Sequence, residues 1–277
     1  MELLHASPPA TETSPFGSVL RHWRTLRGQS QMALGLSAGV STRHVSYLET
    51  GRAQPSREMV LMLAQALDVP LRERNRWLTA ARYAPLYRET PLDAPALGPV
   101  RDALQMLLSA SEPNPTFVVN RRYDILDANQ AGRWLTSAFS LDLKAFSAPL
   151  NMAELIIDPN GMRPFLENRE EVAYKVLSRL RRDLGSAPQL DDVEESLLGR
   201  VNEAWHELAQ PPSPLDALPL MVGVRLRRGD LALNLFTTIA TLGTPLDVTL
   251  QELRIETLFA ADAPTKTVLS NRSRELQ

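Results

Sequence analysis

Between Phe16 and Tyr83 apolar residues recur every three or four positions. Phe16, Leu20, Trp23 and Leu26 predict one helix, and Val60, Leu63, Ala64 and Leu67 follow the i, i+3, i+4, i+7 rhythm of another. "LRERNRWLTAAR" predicts a short, basic fifth helix, while Pro55 and Ser56 supply a stop and an N-cap ahead of the Val60 stretch. No strand period occurs in this part of the chain. The rhythm then breaks at "APLYRETPLDAPALGP", where Pro85, Pro91, Pro95 and Pro99 exclude a continuous helix and favour an extended connector. Beyond it, "TFVVN" and "YDILD" on either side of "RR" predict a tight hairpin, although the two-residue turn lacks the expected Gly or Asn. Helical spacing follows over 129–140, 150–157, 164–183 and 190–209. The stretches "LMVGVRLRRGDLALNLFTTIATLG" and "DVTLQELRIETLFA" are β-rich, with turns at Gly229-Asp230 and Gly243-Thr244-Pro245. Strands at both ends with helices between them predict an α+β domain with an antiparallel sheet of about five strands. The expected organisation is therefore multi-domain: a flexible tail over 1–15, an all-α five-helix domain over 16–83, a Pro-rich linker over 84–98 and an α+β domain over 99–271.

Charge sharpens that division. Residues 1–88 carry 11 Arg against 6 Asp or Glu, a net of +5, which leaves 19 Lys or Arg against 26 Asp or Glu, a net of −7, for the remainder. A basic helical module joined to an acidic one is the pattern that a polyphosphate partner selects. The 277 residues contain no cysteine, so a disulfide framework and thiolate metal sites are excluded. No basic leader precedes an apolar run and no stretch is long enough to span a bilayer, so a cytoplasmic protein is expected.

Candidate chemistry centres on "QMALGLSAGVSTRHVSYLETG", residues 31–51. "GLSAG" matches the G-x-S-x-G nucleophile elbow, whose serine sits on a strained turn after a buried strand. "SQMAL" is no such strand, and no triad partners accompany Ser37. A helix-turn-helix accounts for the same letters: Gln31 to Ala38 form a first helix, Gly39 takes a left-handed turn, Val40 plugs the angle and Ser41 caps the next helix. Leu34, Ala38, Val45 and Leu48 then form its core, and Gly35 lets the second helix approach. Elsewhere catalytic constellations are weak. "WHELAQ" has Gln210 where a zinc site requires a second His, the four histidines are scattered, and "DDVEE" suits the acidic first turn of a helix. No cofactor, no metal and no enzymatic activity are expected.

The pattern "SQ(x5)SAGVSTRHVSYLETGRAQPS" resembles the DNA-binding domain of the bacterial XRE family, the repressor and Cro type of helix-turn-helix. That resemblance implies phosphate contacts at Gln31 and Arg52 and base-edge readers at Thr42, Arg43 and Tyr47, with Ser41, His44 and Ser46 beside them. An arginine at the start of a recognition helix can grip guanine O6 and N7 with both arms, which agrees with this split. The succession of linker, "SASEPNPTFVVNRRYDILDAN", "DPNGMRPFLENREEVAYKVLSRLRRD" and "LGTPLDVTLQELRIETLF" resembles the MmyB-like transcription regulators. The resemblance implies an XRE module joined to a ligand-binding domain related to PAS folds, in a family associated with long-chain fatty acids.

An apolar pocket beside the sheet would need a cation or amide donors at its mouth to hold a carboxylate. Asn129, Arg133, Asn168 and Arg254 are candidates, with Phe165 as an apolar contact. Each has a structural alternative: Asn129 as a helix cap, Arg133 and Asn168 as surface, Arg254 paired with Glu252 or Glu256. The expected protein is a homodimeric regulator that binds a double-stranded, palindromic operator and a fatty acyl effector. Two rivals remain: a second domain that serves only for dimerisation or protein contact, and an enzyme acting on an apolar small molecule.

Overall fold

Four serines open the first four helices. In the computed structural model, which describes residues 14–185, 190–208, 223–243 and 245–275, these helices are α1 (Pro15–Leu26), α2 (Gln31–Ser37), α3 (Thr42–Glu49) and α4 (Arg57–Ala66). The hydroxyls of Ser14, Ser30, Ser41 and Ser56 accept from the backbone N–H of Gly17, Ala33, His44 and Met59 at 3.0, 3.0, 3.2 and 3.2 Å. Each satisfies an N–H group that its helix leaves orphaned, an effect of about 1 kcal/mol. A fifth helix, α5 (Leu71–Ala80), follows Pro70. Because α1 begins at Pro15 with Ser14 as its cap, the expected tail is two residues too long at that end; residues 1–13 lie outside the described residues. Phe16, Leu20, Trp23, Leu34, Val45, Leu48, Leu63 and Trp77 share one core, and the Phe16 ring meets Trp77 edge-on at 5.8 Å. Leu26 departs from the expected face at 49 % exposure. Ten residues at 100° each carry it about 80° round the helix from Phe16.

The chain divides into two compact units after Arg88, with residues 246–248 assigned to the first. In the second unit a 3₁₀ turn, Pro95–Leu97, leads into α6 (Gly98–Ala110). No helix was expected there, because Pro99 suggests a breaker. It occupies the first turn of α6, where its missing N–H costs nothing.

Five antiparallel strands form a single sheet in the order β2-β1-β5-β4-β3: β1 (Thr116–Val119), β2 (Ile125–Ala128), β3 (Gly223–Arg228), β4 (Leu231–Thr241) and β5 (Arg254–Ala260). The α+β expectation with about five strands holds. Four consecutive buried residues in β1 reflect cover on both faces: Phe117 and Val119 enter the main core, whereas Val118 meets Leu104 and Leu108 of α6. Over the main core lie α7 (Gln130–Ala138), α8 (Met152–Ile157), α9 (Arg169–Gly185) and α10 (Asp192–Leu208), with Leu269 of α12 (Ala263–Glu275).

Two expectations need correction. The hairpin loop is not the two residues "RR" but Asn120 to Asp124, since pairing ends at Val119 with Ile125. Asn120 Oδ1 accepts from the backbone N–H of Arg122 and Asp124 at 2.9 and 3.0 Å, and Tyr123 takes φ +68°, so the loop is shaped by an asparagine side chain and delivers the tyrosine inward. "DVTLQE" is not a strand either. Val248–Glu252 form a short helix, α11, which runs into β5. Residues 209 and 220–222 of the expected elements, and Thr244 of the expected turn, lie outside the described residues.

Candidate functional site

In the helical unit α2 and α3 meet through Gly39, at φ +67°, and Ser41. Gly35 is required by contact rather than by φ: a Cβ there would lie 2.7 Å from the Val40 carbonyl oxygen and 3.3 Å from the Thr42 nitrogen. Ser37, at the end of α2, donates its hydroxyl proton to the Leu34 carbonyl at 3.1 Å. It sits on a helix and not on a strand-to-helix turn, so the nucleophile-elbow geometry is absent. Val45 and Leu48 turn inward with no exposure. Thr42 and Arg43 are exposed on the other side of α3, with His44, Ser46 and Tyr47 half-buried beside them. Arg43 Nε donates to the Tyr47 hydroxyl at 2.7 Å, and its guanidinium lies 5.2 Å from that ring's centre. One helical turn separates the two, so arginine and tyrosine present a single pre-shaped edge.

Beneath this edge lies Glu49, fully buried at the end of α3. It accepts from Arg24 Nε at 2.6 Å, from Arg24 Nη2 at 3.1 Å and from Gln31 Nε2 at 2.8 Å, and Arg21 approaches to 3.5 Å. Burial alone would raise its pKa. The hydrogen bonds from Arg24 and Gln31 and the charges of Arg24 and Arg21 outweigh that and hold it below the ordinary carboxylate range. One carboxylate thereby ties α1, α2 and α3 together and fixes the Gln31 amide at the start of α2. Arg52, exposed just past α3, is anchored through its backbone N–H to the Tyr47 carbonyl at 2.8 Å.

The sheet unit places the ligand candidates apart. Asn129 caps α7: its Oδ1 accepts from Gly132 and Thr116 N–H at 2.8 and 2.9 Å, and its Nδ2 donates to the Asn114 and Leu108 carbonyls at 2.9 and 3.4 Å. Asn168 latches β3, accepting from Arg225 N–H at 3.0 Å while its Nδ2 donates to the Gly223 carbonyl at 2.8 Å and to Glu171 at 3.0 Å. Those two amides serve β1 and β3, three strand spacings or about 14 Å apart. Arg133, with its side chain 68 % exposed, is tied to Asp127 at 2.7 Å and to the Ala128 carbonyl at 3.0 Å. Phe165 stands edge-on to Phe139 at 6.2 Å, with the Arg228 guanidinium 4.9 Å from its ring centre.

Arg254 lies among ionisable side chains of α9 and the hairpin loop. Its Nη2 lies 2.7 Å from Asp183 of α9, its guanidinium lies 5.6 Å from the centre of the Tyr123 ring, and its Nη1, sealed from solvent, has no acceptor among the described residues. Neither Glu252 nor Glu256 is its ion-pair partner at contact distance. Arg179 of α9 donates Nη1 to both the Tyr123 hydroxyl and Glu256 Oε1, each at 3.3 Å.

A model for the MmyB-like transcription regulator ligand binding domain matches residues 100–271, more than half of the chain, and a helix-turn-helix domain model matches residues 15–77. The chain belongs to the MmyB-like transcription regulators. No curated protein matches it.

In this MmyB-like regulator the helix-turn-helix is thus joined to a ligand-binding domain, and the buried group around Arg254 lies inside the latter. Burial pushes the Glu256 carboxyl above the ordinary carboxylate range, against the opposing pull of Arg179 and Arg254. Tyr123 is likewise raised, by burial first and by the charge of Glu256 second, so it remains a neutral phenol. Perturbed groups of this kind mark ligand sites when geometry agrees. Sequence reasoning found Arg254 but missed Tyr123, Arg179, Asp183 and Glu256, and in the helical unit it missed Glu49 and Arg24. "YDILD" with "LRIET" held a usable signal. Ionisable residues at alternate positions of an otherwise apolar strand have to be placed somewhere, and here the strand is covered on both faces. No helix among the described residues is long and apolar enough to cross a membrane.

Proposed function

We propose that this regulator reads a palindromic DNA operator as a homodimer and that a long-chain fatty acid, held in the ligand-binding domain, sets its affinity for that operator. The observation that carries the reading of DNA is the Arg43–Tyr47 edge, exposed on a helix whose opposite face is locked into the core and onto Glu49. Arg43 and Thr42 would meet base edges, while Gln31 and Arg52 would meet phosphates on either side. Two such modules on one operator are what palindromy requires, because a single short recognition helix reads only one half-site. An acid is favoured as effector because the unpaired, buried Nη1 of Arg254 calls for an oxygen acceptor. An alkyl chain of about 12 to 18 carbons would add about 0.8 kcal/mol for each CH₂ taken out of water. The protein would work in the cytoplasm, where its operator lies.

A second reading, in which the same domain serves only for dimerisation, is favoured by α6. Ala103, Met106, Leu107 and Ala110 repeat at helical spacing on its exposed side, with Met106 72 % exposed. Native mass spectrometry and calorimetry on delipidated protein decide between the two. Acids that bind with an affinity rising and then falling with chain length, and that shift operator affinity, support the sensor. If no acid of any length binds, the dimerisation reading takes its place.

A further inference from the structure

We infer that the Arg254 guanidinium is a carboxylate subsite at which Asp183 is exchangeable, so that an acid effector binds by taking the place of Asp183 and detaching the last turn of α9 from β5. The inference rests on the acid-effector reading above and adds to it the side chain that the acid must displace. Arg254 is held from below by Tyr123, whose ring lies against the guanidinium, and Tyr123 is itself held by Arg179. The fork is therefore fixed in place. Of its arms, Nη2 faces Asp183 at 2.7 Å while Nη1 is buried without an acceptor among the described residues. A carboxylate that approached the fork with both oxygens would serve both arms, and two parallel charge-assisted bonds are the strongest arrangement a guanidinium offers.

Asp183 is poorly suited to hold its ground. It lies near the C-terminal end of α9 (Arg169–Gly185), the end at which the helix dipole disfavours a carboxylate. Its side chain is 21 % exposed as a whole, while the Oδ2 that faces Arg254 is buried without a hydrogen bond among the described residues. An incoming carboxylate carries the same charge, fills the vacant arm and suffers no such repulsion from a helix to which it does not belong. Exchange leaves the charge beside Arg254 unchanged and leaves the Arg179 contacts to Glu256 and Tyr123 in place. Exchange would release the tie between Asp183 on α9 and Arg254 on β5.

Calorimetry of the delipidated full-length protein with dodecanoate and with dodecanol as probes tests this. Asp183→Asn removes the competing charge, and dodecanoate should bind at least about fivefold more tightly while dodecanol is unaffected; Arg254→Gln should weaken dodecanoate at least about tenfold and dodecanol little. Asp183→Ser, smaller and equally uncharged, should repeat the gain if the asparagine variant does not fold. Wild-type protein gives a readout that needs no variant: dodecanoate, but not dodecanol, should speed amide hydrogen exchange across residues 180–185. If dodecanoate binds the wild type, yet the Asp183 variants bind it no better and exchange in that segment is unchanged or slowed, the displacement is refuted while the acid effector stands. If dodecanoate binds neither the wild type nor the variants, the acid-effector reading fails and the displacement falls with it.

Discussion

Each unit buries a glutamate against arginines, and the two are solved in opposite ways. Glu49 receives three short hydrogen bonds from Arg24 and Gln31, and its pKa is driven down; Glu256 receives one N–H at 3.3 Å, shared with Tyr123, and its pKa is driven up. Both carboxylates lose water, so the difference lies in how fully protein groups replace it. Around Glu49 replacement is nearly complete, which suits a surface that must be rigid before DNA arrives. Around Glu256 it is incomplete, and the neighbouring Arg254 arm lacks an acceptor among the described residues. A satisfied buried charge organises a scaffold, whereas an under-satisfied cluster leaves room for something to bind.

The largest effect is expected from breaking the satisfied partner. Glu49→Ala strands Arg24 and frees Gln31, and removing one side of a buried ion pair costs about 3 to 5 kcal/mol. The helical unit should unfold at markedly lower urea, with specific operator binding lost under conditions where the sheet unit is intact. Hydrogen exchange resolved by peptide would report the two units separately. A loss below about 1 kcal/mol would mean that Glu49 does not hold the three helices together.

The next effect concerns the edge that Glu49 supports. Arg43→Ala should weaken operator binding by about 1 to 3 kcal/mol and relax preference at one base pair, because a two-armed base contact is lost. Arg52→Ala should weaken all sequences alike and reduce the salt slope by about 1, as a phosphate contact does. Binding isotherms over a salt series distinguish the two patterns, and identical behaviour of both variants would reject the assignment of roles. Ser37→Ala should change neither binding nor any hydrolysis seen.

The helix-turn-helix was legible because its rules are local. Serine caps, Gly39 and the apolar faces of α2 and α3 all act within a few residues of one another. Glu49 was not legible, since its partner Arg24 is 25 residues away and only the packing of α1 on α3 brings them together. The same limit explains the ligand-binding domain. Asn168 reads as a surface amide until β3, 55 residues on, supplies the carbonyl it binds. Glu252 and Glu256, close to Arg254 in sequence, suggest themselves as its partners, whereas α9 supplies Asp183 instead. Polar residues carry no intrinsic mark that separates latch from ligand contact. What decides is whether every donor and acceptor is already used, and that is set by tertiary structure.

The smallest effect is a difference in pH dependence, and its sign tests the comparison directly. Glu49 has a folded pKa below its unfolded value of about 4.3, so the stability it provides is present above that value and lost as pH falls through the folded one. Glu256 is the reverse. Its folded pKa is raised, so its contribution is complete below the unfolded value and is lost as pH rises through the folded one. Acid should therefore loosen the helical unit while it relieves the strained carboxylate of the sheet unit, and a rise from about pH 4 towards neutrality should do the opposite. Glu49→Gln should flatten the acid limb of the first unit's stability. Glu256→Gln should flatten the slope of the second above that range and be neutral or mildly stabilising at pH 7, because an amide can still accept from Arg179 without the cost of burying a charge. Urea denaturation of each variant at pH 4, 5.5 and 7, followed by peptide-resolved exchange, provides the check. A Glu256→Gln protein that is clearly less stable than wild type at pH 7 would show that Glu256 is as well compensated as Glu49, and the contrast between the two units would disappear.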